Sequence, residues 1–448
     1  MTSREIPGLA APNAAVKPRL YRRTLSNGLR VIAIRRPSAP MVEVRLRIEA
    51  PTVSPSALGR TGLWSETLLK GTEQYDDREL DQAIGGIGAQ INTGADRDKL
   101  MVGGSTMAEH LSEYLGLLAH VLSAATFPKR AVEDERGRLA EHLVMAKSNA
   151  GVTAAQAIAA KLFGDHPYAR VMPEPDELTA VSAAQVRSLH RALVRPDGAV
   201  LVLVGDLQPR RALDLVEASF AQWTGTPRRA RVPAVRFADS STISVVDRPG
   251  SVQSSIRFGM PALSREHTDY PAQRVANMLF GGYFSSRLVA NLREDKGYTY
   301  TPRSAVDLGR EASVLTISAD VSTEVTAAAI NEINYELGRL ANTTPTDDEV
   351  ENARQYLIGS QLISMSSQAG LAGQTANLEI GGLGLDWLQE HQRALAKVSA
   401  ADVRRVAAAG ITPAAARIVV VGDAARIDSE MGTLGRLERA SADPSNGE

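Results

Sequence analysis

The spacing of apolar residues along this chain changes several times, and each change marks an element. From Tyr21 to Ala50 the run "YRRTLSNGLRVIAIRRPSAPMVEVRLRIEA" alternates or clusters its apolar residues in short stretches. That pattern suits strands, and Asn27-Gly28 between two of them is a hairpin signal. The period then lengthens to that of helices over about 56–70, 77–86, 107–124 and 128–149. The segment "AQINTGADRDKLMVGGS" interrupts them as a strand candidate. The second half repeats this order, with the strand "SSIRFGMPA", helices from about 268 to 295, strands "TYTPRSAV" and "ASVLTISADVS", then long helices. Strands first and last with helices between predict an α+β fold, a mostly antiparallel sheet with helices on one face.

The repetition is also literal. "VSAAQVRSLHRALVRPDGAVLVLVGD" (Val181–Asp206) and "VSAADVRRVAAAGITPAAARIVVVGD" (Val398–Asp423) align without a gap and agree at half of their positions. Each reads as a helix capped by Ser182 or Ser399, a Pro-containing turn and a buried strand ending in Val-Gly-Asp. A duplicated chain of two homologous α/β-sandwich domains follows. The expected organisation is a tail over 1–20, a first domain over 21–225, a Pro- and Arg-rich linker over 226–242, a second domain over 243–430 and a tail over 431–448.

Composition narrows the function classes. At 448 residues the chain exceeds one ordinary core, and two domains of roughly 200 residues each are expected. A net charge of -1 argues against a nucleic-acid binder held by a broad basic surface. With no cysteine there is no disulfide, thiol nucleophile or Cys-ligated metal. No signal-peptide organisation and no membrane-length apolar run is present, so a cytoplasmic location without membrane partners is expected.

Several stretches, in order and spacing, resemble the pitrilysin, insulin-degrading enzyme and mitochondrial processing peptidase superfamily of inverted zinc peptidases. They are "LSNGLRVIAI", "LLKGTEQYDDRELDQAIGGIGAQINTGADRD", "ERGRLAEH", "FGDHPYAR", "VLVGD" and "MLFGGYFSSRLVANLREDKGYTYTPRS". The resemblance runs from about Tyr21 to Ile427 and implies the metallohydrolase sandwich of the processing peptidases in both domains. Such a site needs two imidazoles one helical turn apart, a carboxylate base beside them and a third ligand from a distant helix. Anchored on Lys70-Gly71-Thr72, the two His positions fall at Gly62 and Glu66 and the base at Ser65. The distant ligand falls at His142, or at Glu141 if the register slips by one. No metal or other cofactor is therefore expected in this chain, and Glu66 and His142 are expected to form a hydrogen-bonded pair. His110 reads as a surface or capping residue and His166 as ordering a turn, while His120, His190, His267 and His391 read as structural or exposed.

The resemblance implies a second element, an Arg and a Tyr seven residues apart that hold substrate backbone near the scissile bond. "REDKGYTY" places Arg293 and Tyr300 at that spacing, with Tyr298 the near competitor. Arg offers a fork of donors to a peptide carbonyl, and a phenol can donate to an oxygen that becomes negative. The strand near Gly88–Val102 matches one that receives peptide as an added strand in catalytic relatives. Asn92, Thr93 and Asp96 would line it, and a plain structural strand is the alternative. The chain thus resembles the non-catalytic subunit of the bacterial two-chain members. A zinc-bearing homologue with an intact H-x-x-E-H would be its partner, a peptide its substrate, and a homodimer is open to it in isolation. The alternatives are a structural or peptide-binding homologue, like a respiratory core protein or a precursor chaperone, and a peptidase with an unusual metal site at Glu66 and His142.

Overall fold

The computed structural model describes residues 18–238 and 242–440, so the tail assigned to 1–20 and the last residues, 441–448, lie almost wholly outside it. The first half forms β1 (Leu20–Thr24), β2 (Arg30–Arg35), β3 (Met41–Glu49), β4 (Gln90–Ala95), β5 (Lys99–Met107) and β6 (Val200–Gly205). They make one sheet in the order β1-β2-β6-β3-β5-β4. The second half forms β7 (Ile243–Asp247), β8 (Gln253–Ala262), β9 (Arg303–Leu308), β10 (Ser313–Ser322), β11 (Arg417–Gly422) and β12 (Leu437–Arg439). Their order is β12-β7-β11-β8-β10-β9. Apart from the edge strands β1 and β12, the two sheets have the same topology. β2 runs parallel to β6 and β7 parallel to β11, and the pairs β3–β5, β3–β6, β8–β10 and β8–β11 are antiparallel.

The duplicated segments take up equivalent places. Helices Ala183–Leu193 and Ala400–Gly410 each begin at a serine whose hydroxyl accepts from the third helical amide, Gln185 N–H or Asp402 N–H. That hydroxyl satisfies one of the free donors of the first turn. The strand candidate around Gly88 resolves into the hairpin β4–β5, turning at Asp96, whose carboxylate accepts from the amides of Asp98 and Lys99.

Two features extend the sequence reading. The second domain does not end at 430: Leu437–Arg439 pairs with β7 as an edge strand. In the first half the hairpin strand β1 covers the outer side of β2, but the linker occupies that place in the chain before β7. An open sheet edge invites unwanted pairing, and here the chain's own C-terminal segment covers it.

The second feature is an exchange of helices. Helices of each domain cover one face of its own sheet, as expected. The other face is covered from the opposite domain. Helix Ala150–Phe163 leaves the first domain and packs Ala154, Ile158 and Leu162 against Val419 and Val421 of β11. Helix Gln368–Ile380 returns the contact, setting Leu371, Ala372 and Ala376 against Ile32, Ile34, Val200, Val202 and Val204. This explains why β6 is apolar at every position rather than at alternate ones: both of its faces are buried. The described residues of the connecting segment have no regular secondary structure, but Val232 is buried and Phe237 packs on Phe163.

Candidate functional site

Helix Pro55–Thr67 carries the positions at which the resemblance places zinc chemistry. One of its faces is sealed in the core by Leu63, Trp64, Thr67 and Leu68. Trp64 is anchored by its indole N–H, which donates to His190 Nδ1 at 3.1 Å. His190 in turn donates from Nε2 to the Leu122 carbonyl at 3.0 Å. The opposite stripe presents Gly62, Ser65, Glu66, Leu69 and Lys70, spaced at one helical turn. Its exit is kept in shape by Thr72, whose hydroxyl accepts from Tyr75 N–H at 2.9 Å and lies 2.9 Å from His120 Nε2.

The chemistry of that stripe is not that of a metal site. Ser65 turns its hydroxyl back onto the Gly62 carbonyl at 2.8 Å. Gly62 offers no donor, and Leu139 from the facing helix Lys129–Lys147 lies 3.5 Å from where a Cβ would sit. An open pocket of about 280 Å³ beside Ser65 and Glu66 is lined by Lys70, Glu135 and Arg138, and Glu135 pairs with both cations. Among the described residues no group of three or more His, Cys, Asp or Glu is placed to hold a metal ion. The donor set at this position does not fit the zinc of the resembled peptidases.

The expected Glu66–His142 pair is not formed. Both side chains are exposed, and neither makes a hydrogen bond among the described residues. The facing helix presents Glu135, Arg138 and Leu139 to the stripe, while His142 lies beyond them and Glu141 is likewise exposed. The other histidines have defined places. His110 lies 3.1 Å from Glu113, and His166 accepts from Tyr168 N–H and donates to the Pro233 carbonyl. His267 accepts from Asp269 N–H, and His391 stacks on Trp387 at 4.5 Å.

The three strand residues diverge. β4 is the outer strand of its sheet, and successive side chains point to opposite faces. Asn92 is exposed beside Arg45, Arg47 and Met101. Thr93 instead turns toward the site helix and donates to the Ser65 carbonyl. Asp96 is committed to its turn and to Lys99 at 2.9 Å. Of the three, Asn92 has the side chain not engaged by the fold.

In the second domain the structure brings Arg293 and Tyr300 together. Helix Tyr270–Asn277 continues into a π-helical turn, Met278–Gly282, and helix Arg287–Val289 into another, Ala290–Asp295. Such turns widen the backbone and re-aim side chains. The second carries Arg293, and the chain then reverses at Gly297, whose φ of +63° suits glycine. Tyr298 is half-buried against the core, which removes it as the exposed partner. Tyr300 is 76% exposed, and the Arg293 guanidinium lies over its ring at 4.7 Å. The same guanidinium lies 4.7 Å from the ring of Phe284, which is 65% exposed and was not singled out by the sequence. Its one signal there is a large apolar residue within the small and polar run "GGYFSSR". Arg293 also pairs through Nε with the neighbouring Glu294 at 3.2 Å.

Comparison with known proteins agrees with this two-domain arrangement. Residues 30–176 match the model for insulinase, peptidase family M16, and residues 180–357 match that for the peptidase M16 inactive domain. An uncharacterized zinc protease of Streptomyces coelicolor is 23% identical over 394 residues, 86% of either chain. A protein of Helicobacter pylori named as a non-peptidase homolog, YmxG, is 19% identical and aligns over 77% of this chain and 80% of its own. The crystal structure of a peptidase M16 inactive domain from Pseudomonas fluorescens superposes with a TM-score of 0.83 at 22% identity, covering 90% of this chain and 98% of that one. A protease from Helicobacter pylori superposes with the same score at 19% identity, covering 90% of this chain and 100% of that one. With its two halves matched in order by the two domain models, the chain belongs to peptidase family M16.

Proposed function

We propose that this chain is the non-catalytic subunit of a two-chain zinc endopeptidase. It closes a chamber with a zinc-bearing homologue and lends Arg293 and Tyr300 to that partner's active site. The observation that carries the reading is the Arg293–Tyr300 pair itself, a half-buried guanidinium over an exposed phenol with no role in the core. The donor-poor stripe at Gly62, Ser65 and Glu66 supports it from the other side. The Arg293 fork would hold a carbonyl of the extended peptide, and the Tyr300 hydroxyl would donate to the oxygen that gains charge as water attacks. Zinc, and the attacking water, would belong to the partner. No helix among the described residues is long and apolar enough to cross a membrane; a cytoplasmic place for the complex is part of the proposal.

The test is reconstitution with a homologue carrying an intact H-x-x-E-H. The chain alone should cleave no unfolded peptide, and the mixture should. Arg293→Ala should then lower turnover by about a hundredfold or more while co-elution persists. Undiminished turnover would remove Arg293 from the mechanism and leave a structural or peptide-binding role, for which the free Asn92 on the open strand β4 is the starting point.

A further inference from the structure

The loop that carries Phe284 is built to hold its tip still. Tyr283 packs its ring at a tilt against Tyr356, with centroids 5.1 Å apart, and its carbonyl accepts from Ser286 N–H at 3.2 Å. The next residue, Arg287, is buried and clamps Glu349 through two hydrogen bonds of 2.7 and 2.9 Å. A single exposed aromatic ring is unremarkable on a protein surface. Here a pinned turn presents one to the same guanidinium that a second exposed ring, Tyr300, already contacts.

The geometry divides the guanidinium's work. A guanidinium stacks through its flat faces and donates hydrogen bonds in its plane. The Arg293 Cζ lies 4.7 Å from the centre of each ring. Nε faces Glu294, and the two terminal nitrogens make no hydrogen bond among the described residues. Each ring contact restrains a side chain that would otherwise sample many rotamers, and the part of each ring away from Arg293 remains an apolar surface.

We propose that Phe284 is a positioning and side-chain-selecting residue of the Arg293–Tyr300 site. It fixes the guanidinium plane for a peptide carbonyl and offers the adjoining apolar wall. The site then favours an extended peptide with a large apolar side chain next to the carbonyl that Arg293 holds. This rests on the reading of Arg293 as a peptide-binding group.

Binding to the intact, isolated chain separates the two ideas. The probes are two fluorescein-labelled, 12-residue Gly/Ser peptides, one with a central Phe and one with a central Glu. The Phe peptide should bind the unaltered chain about tenfold more tightly. Phe284→Ala should bring the two peptides within about twofold of one another, and Phe284→Tyr, which keeps the stack, should restore the preference. Arg293→Ala should weaken both peptides, because it removes a hold on backbone that they share. Phe284 is exposed, so unchanged thermal melting of its variants is expected and excludes misfolding as the cause. A preference that survives Phe284→Ala overturns the role of Phe284 even if Arg293→Ala weakens both peptides. So does an unaltered chain that treats the two peptides alike. Arg293→Ala without effect on either peptide counts instead against the reading of Arg293.

Discussion

Trp64 and His190 are joined by one hydrogen bond, from the indole N–H to Nδ1, that ties the degenerate site helix to the duplicated helix Ala183–Leu193. The bond requires Nδ1 to be unprotonated. Burial accordingly pushes the His190 pKa down from its ordinary 6.5 to about 4. The unfolded chain thus binds a proton between those values that the folded chain does not. The stability this histidine contributes is complete above about pH 6.5 and is lost as pH falls toward about 4. Within that window unfolding free energy should fall by about 1.4 kcal/mol per pH unit on its account. His391, also lowered to about 4 by burial, adds to the slope. Urea unfolding at pH 7.5, 6 and 5 checks this. His190→Gln, whose amide can accept from Trp64 and donate to Leu122, should flatten the dependence; an unchanged slope would show that His190 is not its source.

Arg287 and Glu349 make the second prediction. Arg287 is 8% exposed and Glu349 partly so, and the hydrogen bonds from Arg287 hold the Glu349 carboxyl down at about 2. Glu349→Ala leaves the guanidinium buried without its carboxylate, at a cost of about 3 kcal/mol. The sign with pH is that of a depressed carboxyl. The pair's contribution is present above about 4.5 and lost as pH falls toward about 2. Chemical denaturation at pH 7 should show the loss as a lower midpoint, and the difference between variant and parent should shrink in acid.

Arg36 and Arg248 form a clasp that the duplication repeats. Each follows a strand, and each donates its own N–H to the equivalent glycine carbonyl, Gly205 at 2.7 Å and Gly422 at 2.8 Å. Each side chain then reaches the point where the other domain's chain crosses over. Arg36 donates to the carbonyls of Met365 and Ser366, and Arg248 to that of Ser148. Gln368 answers by donating to the Arg36 carbonyl at 2.6 Å. Replacing both arginines by alanine should raise hydrogen exchange at 148–150 and 365–368 before it lowers global stability, since hydrogen bonds at the solvent boundary contribute only about 0.5–1.5 kcal/mol each. Uniform exchange across the chain would show that the crossovers are held by apolar packing alone.

What the sequence made legible follows from what is local. The serine caps, the Asn27-Gly28 hairpin and the helix periods are decided by neighbours in the chain, and all of them appear in the fold. The internal repeat gave the common topology because equivalent strands must meet equivalent partners. The swap of helices Ala150–Phe163 and Gln368–Ile380 was not legible, since an apolar helix face does not say which sheet it covers. The fully apolar strand Val200–Gly205 held the hint, because a second buried face needs a second cover. At the sites, fixed spacing placed Arg293 near Tyr300, whereas Phe284 reached them through a turn whose shape two π-helical segments decide. The Glu66–His142 expectation rested on spacing carried across two helices, where Leu139 takes up the facing space.

Gly62 supplies the last prediction. It lies inside helix Pro55–Thr67, where glycine costs roughly 0.5–1 kcal/mol relative to alanine. A Cβ there would meet Leu139 at 3.5 Å, an ordinary contact, so nothing in the packing opposes it. Gly62→Ala should therefore raise stability by about 0.5–1 kcal/mol in urea unfolding at pH 7.5, where His190 is neutral. A position that supplies chemistry would show a cost in activity on such a change. With the reconstituted partner, Gly62→Ala should leave peptide turnover within about twofold, in contrast to the loss expected for Arg293→Ala. A stabilised variant that loses turnover would return the first domain's stripe to the chemistry, whereas a destabilised one would mean that Leu139 and its neighbours cannot accommodate even one methyl group.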